Sequence, residues 1–314
     1  MVKYAMVTGG AGFIGSNLVR RLIGLGYYII VIDNLSTGSL NNIRTSLDKI
    51  KVIKGDCSTF STIELPNLEI IYHLGMPSSS PMYKNNPKLV GETIKTFIQI
   101  FERVKRDFPQ VKIVYASTSS IYNGNETPYR EDMQIYSKDY YSECRYAMER
   151  LARLYYGLHA IESIGLRFFS IYGPHEEYKG NYANMITQFL WKIKKCQNPV
   201  VYGDGNQSRD FVYVEDAMSA CILAAKSKIG CDIFNVGTGI ETNFNQIIEL
   251  LNSQLGTSVK PRYTKNPIEN YVQNTLADTT KATKDLGFTA KYTLEEGIAK
   301  TINYYKRMDQ NKGP

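Results

Sequence analysis

The sequence predicts an α/β fold, a doubly wound parallel sheet with a smaller C-terminal α+β domain, and three observations carry that reading. Short, β-branched apolar runs alternate with stretches of helical periodicity through the first half of the chain. The first run meets its helix through a glycine cluster, Thr8-Gly9-Gly10-Ala11-Gly12-Phe13-Ile14-Gly15, and the second ends in an acid, Asp33. A length of 314 residues with 43% hydrophobic content suits one large domain and a smaller one.

The first strand is expected at Tyr4 to Val7, and Ile14, Leu18, Val19, Leu22 and Ile23 recur at helical spacing until Gly24 and Gly26 stop the helix. Gly9, Gly12 and Gly15 form Gly-x-x-Gly-x-x-Gly, and Gly10 completes Gly-x-Gly-x-x-Gly as well. At such a turn the backbone comes close to a pyrophosphate, and the free N–H groups of the following helix supply the counter-charge. The second strand, Tyr28 to Ile32, delivers Asp33 where a carboxylate accepts hydrogen bonds from ribose hydroxyls and repels a 2′-phosphate. No arginine occurs in the turn Asn34-Leu35-Ser36-Thr37-Gly38, so the arrangement is Rossmann-type and favours NAD over NADP.

A third strand, Ile50 to Ile53, leads into Asp56 and Cys57, where Asp56 either meets an adenine amino group or is an ordinary turn aspartate. Strand four, Glu69 to His73, gives way to Leu74 and Gly75, and the helix near Pro87 to Arg106 follows. Strand five, Lys112 to Ala116, ends in Ser117-Thr118-Ser119-Ser120-Ile121-Tyr122, which puts hydroxyls at the mouth of the sheet. A helix from Tyr140 through Leu158 carries Tyr141, Arg145 and Glu149 four residues apart on one face. A fixed cation beside a phenol stabilises the phenolate and makes it a usable base; the same spacing also suits a surface tyrosine with a neighbouring arginine. Strand six, Ile161 to Arg167, runs into Phe168-Phe169-Ser170. The strand-helix rhythm then loosens, with a helix near Ala183 to Lys195. Residues 1–170 are therefore read as the dinucleotide domain and 171–314 mainly as the substrate domain, with Phe211 to Val214 and Asp232 to Val236 rejoining the first sheet.

The net charge of +7 suits an anionic small molecule, but the basic residues are scattered, which argues against nucleic acid. No apolar run approaches the roughly 20 residues of a membrane span. Five cysteines without paired spacing, and a start that runs straight into a strand, predict a cytoplasmic protein. Three histidines far apart predict no metal site.

Several segments, taken in order, resemble one family. They are the glycine turn, Val31-Ile-Asp-Asn-Leu-Ser-Thr-Gly38, the Ser/Thr cluster before Tyr122, Arg209-Asp-Phe-Val-Tyr-Val-Glu-Asp216 and Leu276-Ala-Asp-Thr-Thr-Lys-Ala282. From residue 3 to about residue 305 the chain resembles the extended short-chain dehydrogenase/reductases, and within them the nucleoside-diphosphate-sugar epimerases. That resemblance implies NAD as cofactor, held by Gly9, Gly12, Phe13, Ile14, Gly15, Asp33, Asn34, Ser36, Thr37, Gly38, Asp56, Cys57, Leu74, Gly75, Tyr141, Arg145 and Phe169. It implies Tyr141, Thr118 and Arg145 as catalytic residues, and Thr118, Tyr141, Ser170, Asn184 and Arg209 as contacts to a UDP-sugar or other nucleotide sugar. The implied reaction takes the proton of the C4 hydroxyl and the C4 hydride from a UDP-hexose, then returns the hydride to the opposite face and the proton to the oxygen, interconverting UDP-glucose and UDP-galactose. A homodimer through the two helices around residues 87–106 and 140–158 is implied as well.

The chain also departs from the family pattern. Arg145 stands where the family has lysine, Ser170 where it has asparagine, and Ile94 and Phe97 where it has Asn-x-x-Gly. The second diphosphate arginine falls near Ile268, with Arg262 or Lys265 as substitutes. Ser119 and Ser120 replace the Asp-Glu pair of the dehydratases, which disfavours water elimination. Gly173-Pro-His-Glu-Glu-Tyr-Lys-Gly180 is similar to a segment of heptose 6-epimerases, which implies Lys179 as a further catalytic candidate. A reductase with a free small substrate, or a catalytically weak NAD-binding protein because of Arg145, are the alternative readings.

Overall fold

The computed structural model describes residues 2–267 and 271–310. Seven strands form one parallel sheet: β1 (Lys3–Thr8), β2 (Tyr27–Asp33), β3 (Ile50–Lys54), β4 (Ile70–His73), β5 (Lys112–Thr118) and β6 (Ser163–Phe168), with β10 (Cys231–Val236) completing it later in the chain. Their order is β3-β2-β1-β4-β5-β6-β10. The chain moves outward from β1 through β2 to β3, then crosses back to place β4 on the other side of β1. The carboxyl ends of β1 and β4 therefore flank the switch point where open α/β sheets bind ligands.

Alternation along β1 builds two cores, because strand side chains point to opposite faces in turn. Ala5 and Val7 join the core under α1 (Phe13–Gly24) and α6 (Val214–Lys226), while Met6 joins the core under α3 (Leu89–Asp107) and α4 (Tyr140–His159). A short helix, α2 (Ser80–Asn85), precedes α3 and packs on α4.

The remaining elements form a smaller unit at the carboxyl end of the large sheet. A three-stranded sheet has the order β11-β9-β7, from β7 (Ser170–Tyr172), β9 (Ser208–Tyr213) and β11 (Glu241–Asn243). A parallel pair joins β8 (Val200–Tyr202) to β12 (Arg262–Thr264). Three helices, α5 (Met185–Ile193), α7 (Phe244–Leu255) and α8 (Leu294–Gln310), share an apolar core through Ile186, Phe189, Ile247, Leu251 and Ile298.

One expectation is corrected here. Of the two segments expected to rejoin the large sheet, only β10 does so; the Phe211 to Val214 run pairs through β9 with β7 and β11 instead. Periodicity identifies a strand but not its neighbour. β9 is fixed by Asp210, whose buried carboxylate accepts bonds from Thr238, Gly239 and Ala277, all in the smaller unit's loops. Strand five also runs two residues further than its apolar stretch, so Ser117 and Thr118 are part of β5.

Candidate active site

A cavity of about 650 Å³ opens at the switch point, and each residue expected to hold cofactor or to act in catalysis lies in its wall. The glycine turn explains its floor. A Cβ on Gly15 would stand 2.0 Å from Gly9 O, and one on Gly9 would stand 2.7 Å from Gly75 Cα, so β1, α1 and the end of β4 approach as closely as they do only without side chains there. Helix α1 begins at Gly12 with no side-chain cap, which leaves its first N–H groups to a ligand. Asp33 Oδ2 accepts from Ala11 N at 2.9 Å and Oδ1 from Leu35 N at 2.7 Å, so each oxygen keeps a lone pair for hydroxyls. Burial pushes the Asp33 pKa up, against the pull of these backbone N–H groups. An uncapped helix start, glycines without room for Cβ and a buried carboxylate facing the cavity fit a dinucleotide.

The other end of the cavity carries the hydroxyl chemistry. Thr118 closes β5, its Oγ1 accepting from Ser120 N at 3.2 Å. Tyr141 sits in the first turn of α4, which Asp139 caps through Ser142 N at 2.7 Å while its other oxygen accepts from Ser80 Oγ at 2.7 Å. The Tyr141 ring packs 5.5 Å from the Tyr83 ring. One turn on, the buried Arg145 guanidinium lies 5.1 Å from the Tyr141 ring centroid and donates from Nη2 to Pro77 O at 2.7 Å, while its Nε has no partner. Burial works against its charge, but Tyr83, Tyr141 and Cys144 outweigh it and hold the group above its ordinary pKa.

Glu149, on the same helical face in the sequence, is used differently. It forms a buried bidentate pair with Arg167 at 2.9 and 2.6 Å and accepts from Ser117 Oγ, while Arg167 also reaches Tyr122 Oη at 2.6 Å. The helix twist carries Glu149 down the sheet to β6, away from the cavity.

Some residues in the wall and behind it were not expected. Thr8 Oγ1 accepts from Leu74 N and Gly75 N at 3.1 and 3.0 Å, so its proton goes to His73 Nδ1 at 2.8 Å and the His73 proton lies on Nε2, which has no partner. Burial, helped by Arg145, pushes His73 down to about 3, so it stays neutral. On α3 the cavity is lined by Leu89, Glu92, Thr93, Lys95, Thr96 and Gln99, whereas Ile94 and Phe97 pack in the core, where helical spacing puts the apolar face. Tyr83, Asp139 and His73 had no motif to announce them; their roles come from packing across elements.

Arg209 lies outside the main cavity, in a second one of about 210 Å³ that shares Ser170 and Asn184 with it. Its guanidinium lies 5.3 Å from the Tyr271 ring centroid and 5.7 Å from that of Phe244, and donates to the carbonyls of Ser208, Val272 and Gln273. Asn184 caps α5 by accepting from Ile186 N at 3.0 Å and donates to Ile171 O. Arg262 and Lys265 are exposed and line neither cavity, and Ile268 lies outside the described residues. No helix among the described residues is long and apolar enough to cross a membrane, and no group of three or more metal-ligating side chains occurs among them.

Fold and site together define a dinucleotide-dependent protein with a phenol, a hydroxyl and a buried cation set at one end of the cofactor cavity. The chain belongs to the NAD dependent epimerase/dehydratase family, whose model matches residues 5–237, and its cofactor is NAD. It is 34% identical over 304 residues to a putative UDP-glucose 4-epimerase of Methanocaldococcus jannaschii, covering 96% of this chain and 98% of the relative. A UDP-glucuronate 4-epimerase of Thermodesulfobacterium geofontis is 31% identical over 318 residues, covering 96% of each. Among solved structures, the UDP-glucose 4-epimerase of Thermotoga maritima with UDP-glucose matches with a TM-score of 0.90 at 29% identity, covering 97% of this chain and 99% of that one. A UDP-N-acetylglucosamine 4-epimerase from Methanobrevibacter ruminantium M1 in complex with UDP-N-acetylmuramic acid matches with a TM-score of 0.90 at 26% identity, covering 98% and 99%.

Proposed function

We propose that the protein is a nucleotide-sugar 4-epimerase acting on a UDP-hexose, with UDP-glucose and UDP-galactose as its first pair. The observation that carries this reading is the convergence of Thr118 from β5 and Tyr141 from α4 on the wall of the cofactor cavity, with Arg145 buried against the Tyr141 ring. In it, Tyr141 Oη takes the proton of the C4 hydroxyl and Thr118 Oγ1 holds the same oxygen. Arg145 keeps a fixed positive charge beside the phenol, which favours the phenolate. NAD bound along the glycine turn and Asp33 supplies a reversible acceptor for the C4 hydrogen, so that the sugar passes through a ketone and returns as either epimer.

The nucleotide half is assigned to the second cavity, where Arg209 between Tyr271 and Phe244 offers both charge and a stacking surface. Residues 1–170 thus bind cofactor and 171–314, apart from β10, mainly the nucleotide sugar. Ser119 and Ser120 in place of acids make elimination the weaker reading, and Arg145 keeps the charge that a catalytically silent protein would not need. The test is turnover of UDP-glucose, UDP-galactose, UDP-N-acetylglucosamine and UDP-glucuronate. Interconversion of a C4 pair without net NADH supports the reading, whereas accumulation of NADH, or no turnover of any of the four, overturns it.

The reading includes a cytoplasmic setting for the five free cysteines and a homodimer. Leu154 and Leu158 on α4 are exposed, at 56% and 72%, on the helix packed against α3, which suits a second copy. Light scattering is expected to give twice the chain mass of 35.6 kDa, and a monomer would remove this part.

A further inference from the structure

Lys179 lies in the stretch that leaves β7 and crosses the glycine turn. Asn17 Nδ2 donates to Pro174 O at 3.0 Å, and Asn41 Nδ2 donates to Tyr178 Oη at 2.9 Å, so this stretch is tied to α1 and to the segment after β2. Directly after the second tie, the Lys179 ammonium lies 5.3 Å from the ring centroid of Phe13, the first residue of α1, and in the cavity wall. No carboxylate stands within ion-pair distance of it among the described residues. The acid that acts on it, Glu176, is fully buried and spends its oxygens on Gly173 N, Asn184 N and Thr187 Oγ1. Burial accordingly pushes the Lys179 pKa below the usual lysine value, with Glu176 offsetting part of the drop. The other cations of the wall are placed elsewhere: Arg145 is bound to Pro77 O, and Lys95 is exposed on α3.

A partly buried ammonium without a carboxylate partner, lining a cavity beside the uncapped start of a helix, is a built half-site for an anion. We infer that Lys179 binds a pyrophosphate seated at the amino end of α1, that of the dinucleotide cofactor, and is not a proton donor or acceptor toward the sugar. This rests on the reading of the main cavity as the NAD site. A nucleotide sugar carries a diphosphate of the same chemistry, and Asn184, five residues along, lines both cavities. The Phe13 contact favours the cofactor, because Phe13 belongs to the helix whose free N–H groups face that ligand.

Calorimetric binding to the full chain separates the sources, with NAD, ADP-ribose, adenosine and UDP as probes and no sugar turnover needed. Lys179→Gln is expected to weaken NAD and ADP-ribose alike by roughly 10- to 100-fold, the loss typical of one charge-assisted bond, and to leave adenosine and UDP within about twofold. Lys179→Arg is expected to recover most of the lost affinity, and Lys179→Met, which keeps the stem over Phe13, to behave as the glutamine variant. If UDP alone weakens, the substrate diphosphate is the anion and the inference fails. It fails equally if all four affinities hold while kcat falls, because Lys179 then acts on the sugar. Should the unaltered chain bind no NAD, the reading of the cavity fails first.

Discussion

Replacement of Tyr141 by phenylalanine is expected to lower kcat for sugar interconversion by roughly 10²- to 10⁴-fold, the range for loss of a positioned acid-base group. The ring is held on two sides, by Tyr83 at 5.5 Å and by the Arg145 guanidinium at 5.1 Å, and both contacts need only the ring. The substitution therefore removes one oxygen and leaves the first turn of α4, capped by Asp139, in place. NAD affinity is expected to stay within about twofold and KM to change little, since an interaction made mainly in the transition state shows in kcat. Steady-state kinetics with a melting curve of the variant checks this. A variant with more than about a fifth of the original kcat would remove Tyr141 as the base.

Arg145 bears on the same expectation. An arginine in place of the family lysine keeps the charge but fixes it differently, through a planar guanidinium bonded to Pro77 O. The α2 approach, with Ser80 bonded to Asp139, brings that carbonyl within reach. The exchange thus comes with a local arrangement that uses it.

How much of this was legible beforehand depends on whether a feature is local in the chain. The glycine turn, the acid closing β2 and the tyrosine four residues before Arg145 are local, and each stands in the cavity wall where its spacing puts it. The large sheet follows from alternation, because strands that strictly interleave with helices have few possible partners. β9 interrupts that rhythm, and its partners β7 and β11 are only three residues long, too short for a period to register. Helical spacing marks the apolar side of α3, where Phe97, Phe101 and Val104 are buried, but does not say that Thr93 and Thr96 of the same helix meet a cavity. The fate of Glu149 was hidden for a different reason: its partner Arg167 is on a strand, eighteen residues away, and only the packing of α4 on β6 brings them together.

That buried pair is where the largest stability effect is expected. Glu149 and Arg167 are both almost fully buried, their two hydrogen bonds are 2.9 and 2.6 Å, and the remaining polar groups are satisfied by Ser117 and Tyr122, with Tyr122 Oη passing its proton to Asn235 Oδ1 at 2.8 Å. Arg167→Met fills much of the volume but strands the Glu149 carboxylate in the core. Breaking such a pair from one side costs about 3–5 kcal/mol, because the uncompensated charge keeps its desolvation penalty and loses its partner. A melting temperature lower by roughly 5–8 °C is expected for a chain of this size. Glu149→Gln combined with Arg167→Met is expected to be less damaging than Arg167→Met alone, since the stranded charge is gone; the two effects then fail to add, as they must for groups in contact. The pair also reaches the site. Ser117 precedes Thr118 on β5, and Glu149 lies two turns below Tyr141 on α4, so one ion pair ties the strand carrying the hydroxyl to the helix carrying the phenol. Arg167→Met is therefore expected to lower kcat more than it weakens NAD, whose proposed contacts at the glycine turn and Asp33 lie away from the pair. Equal melting temperatures for the single and double variants, or unchanged stability in Arg167→Met, would show that the pair does not couple α4 to the sheet.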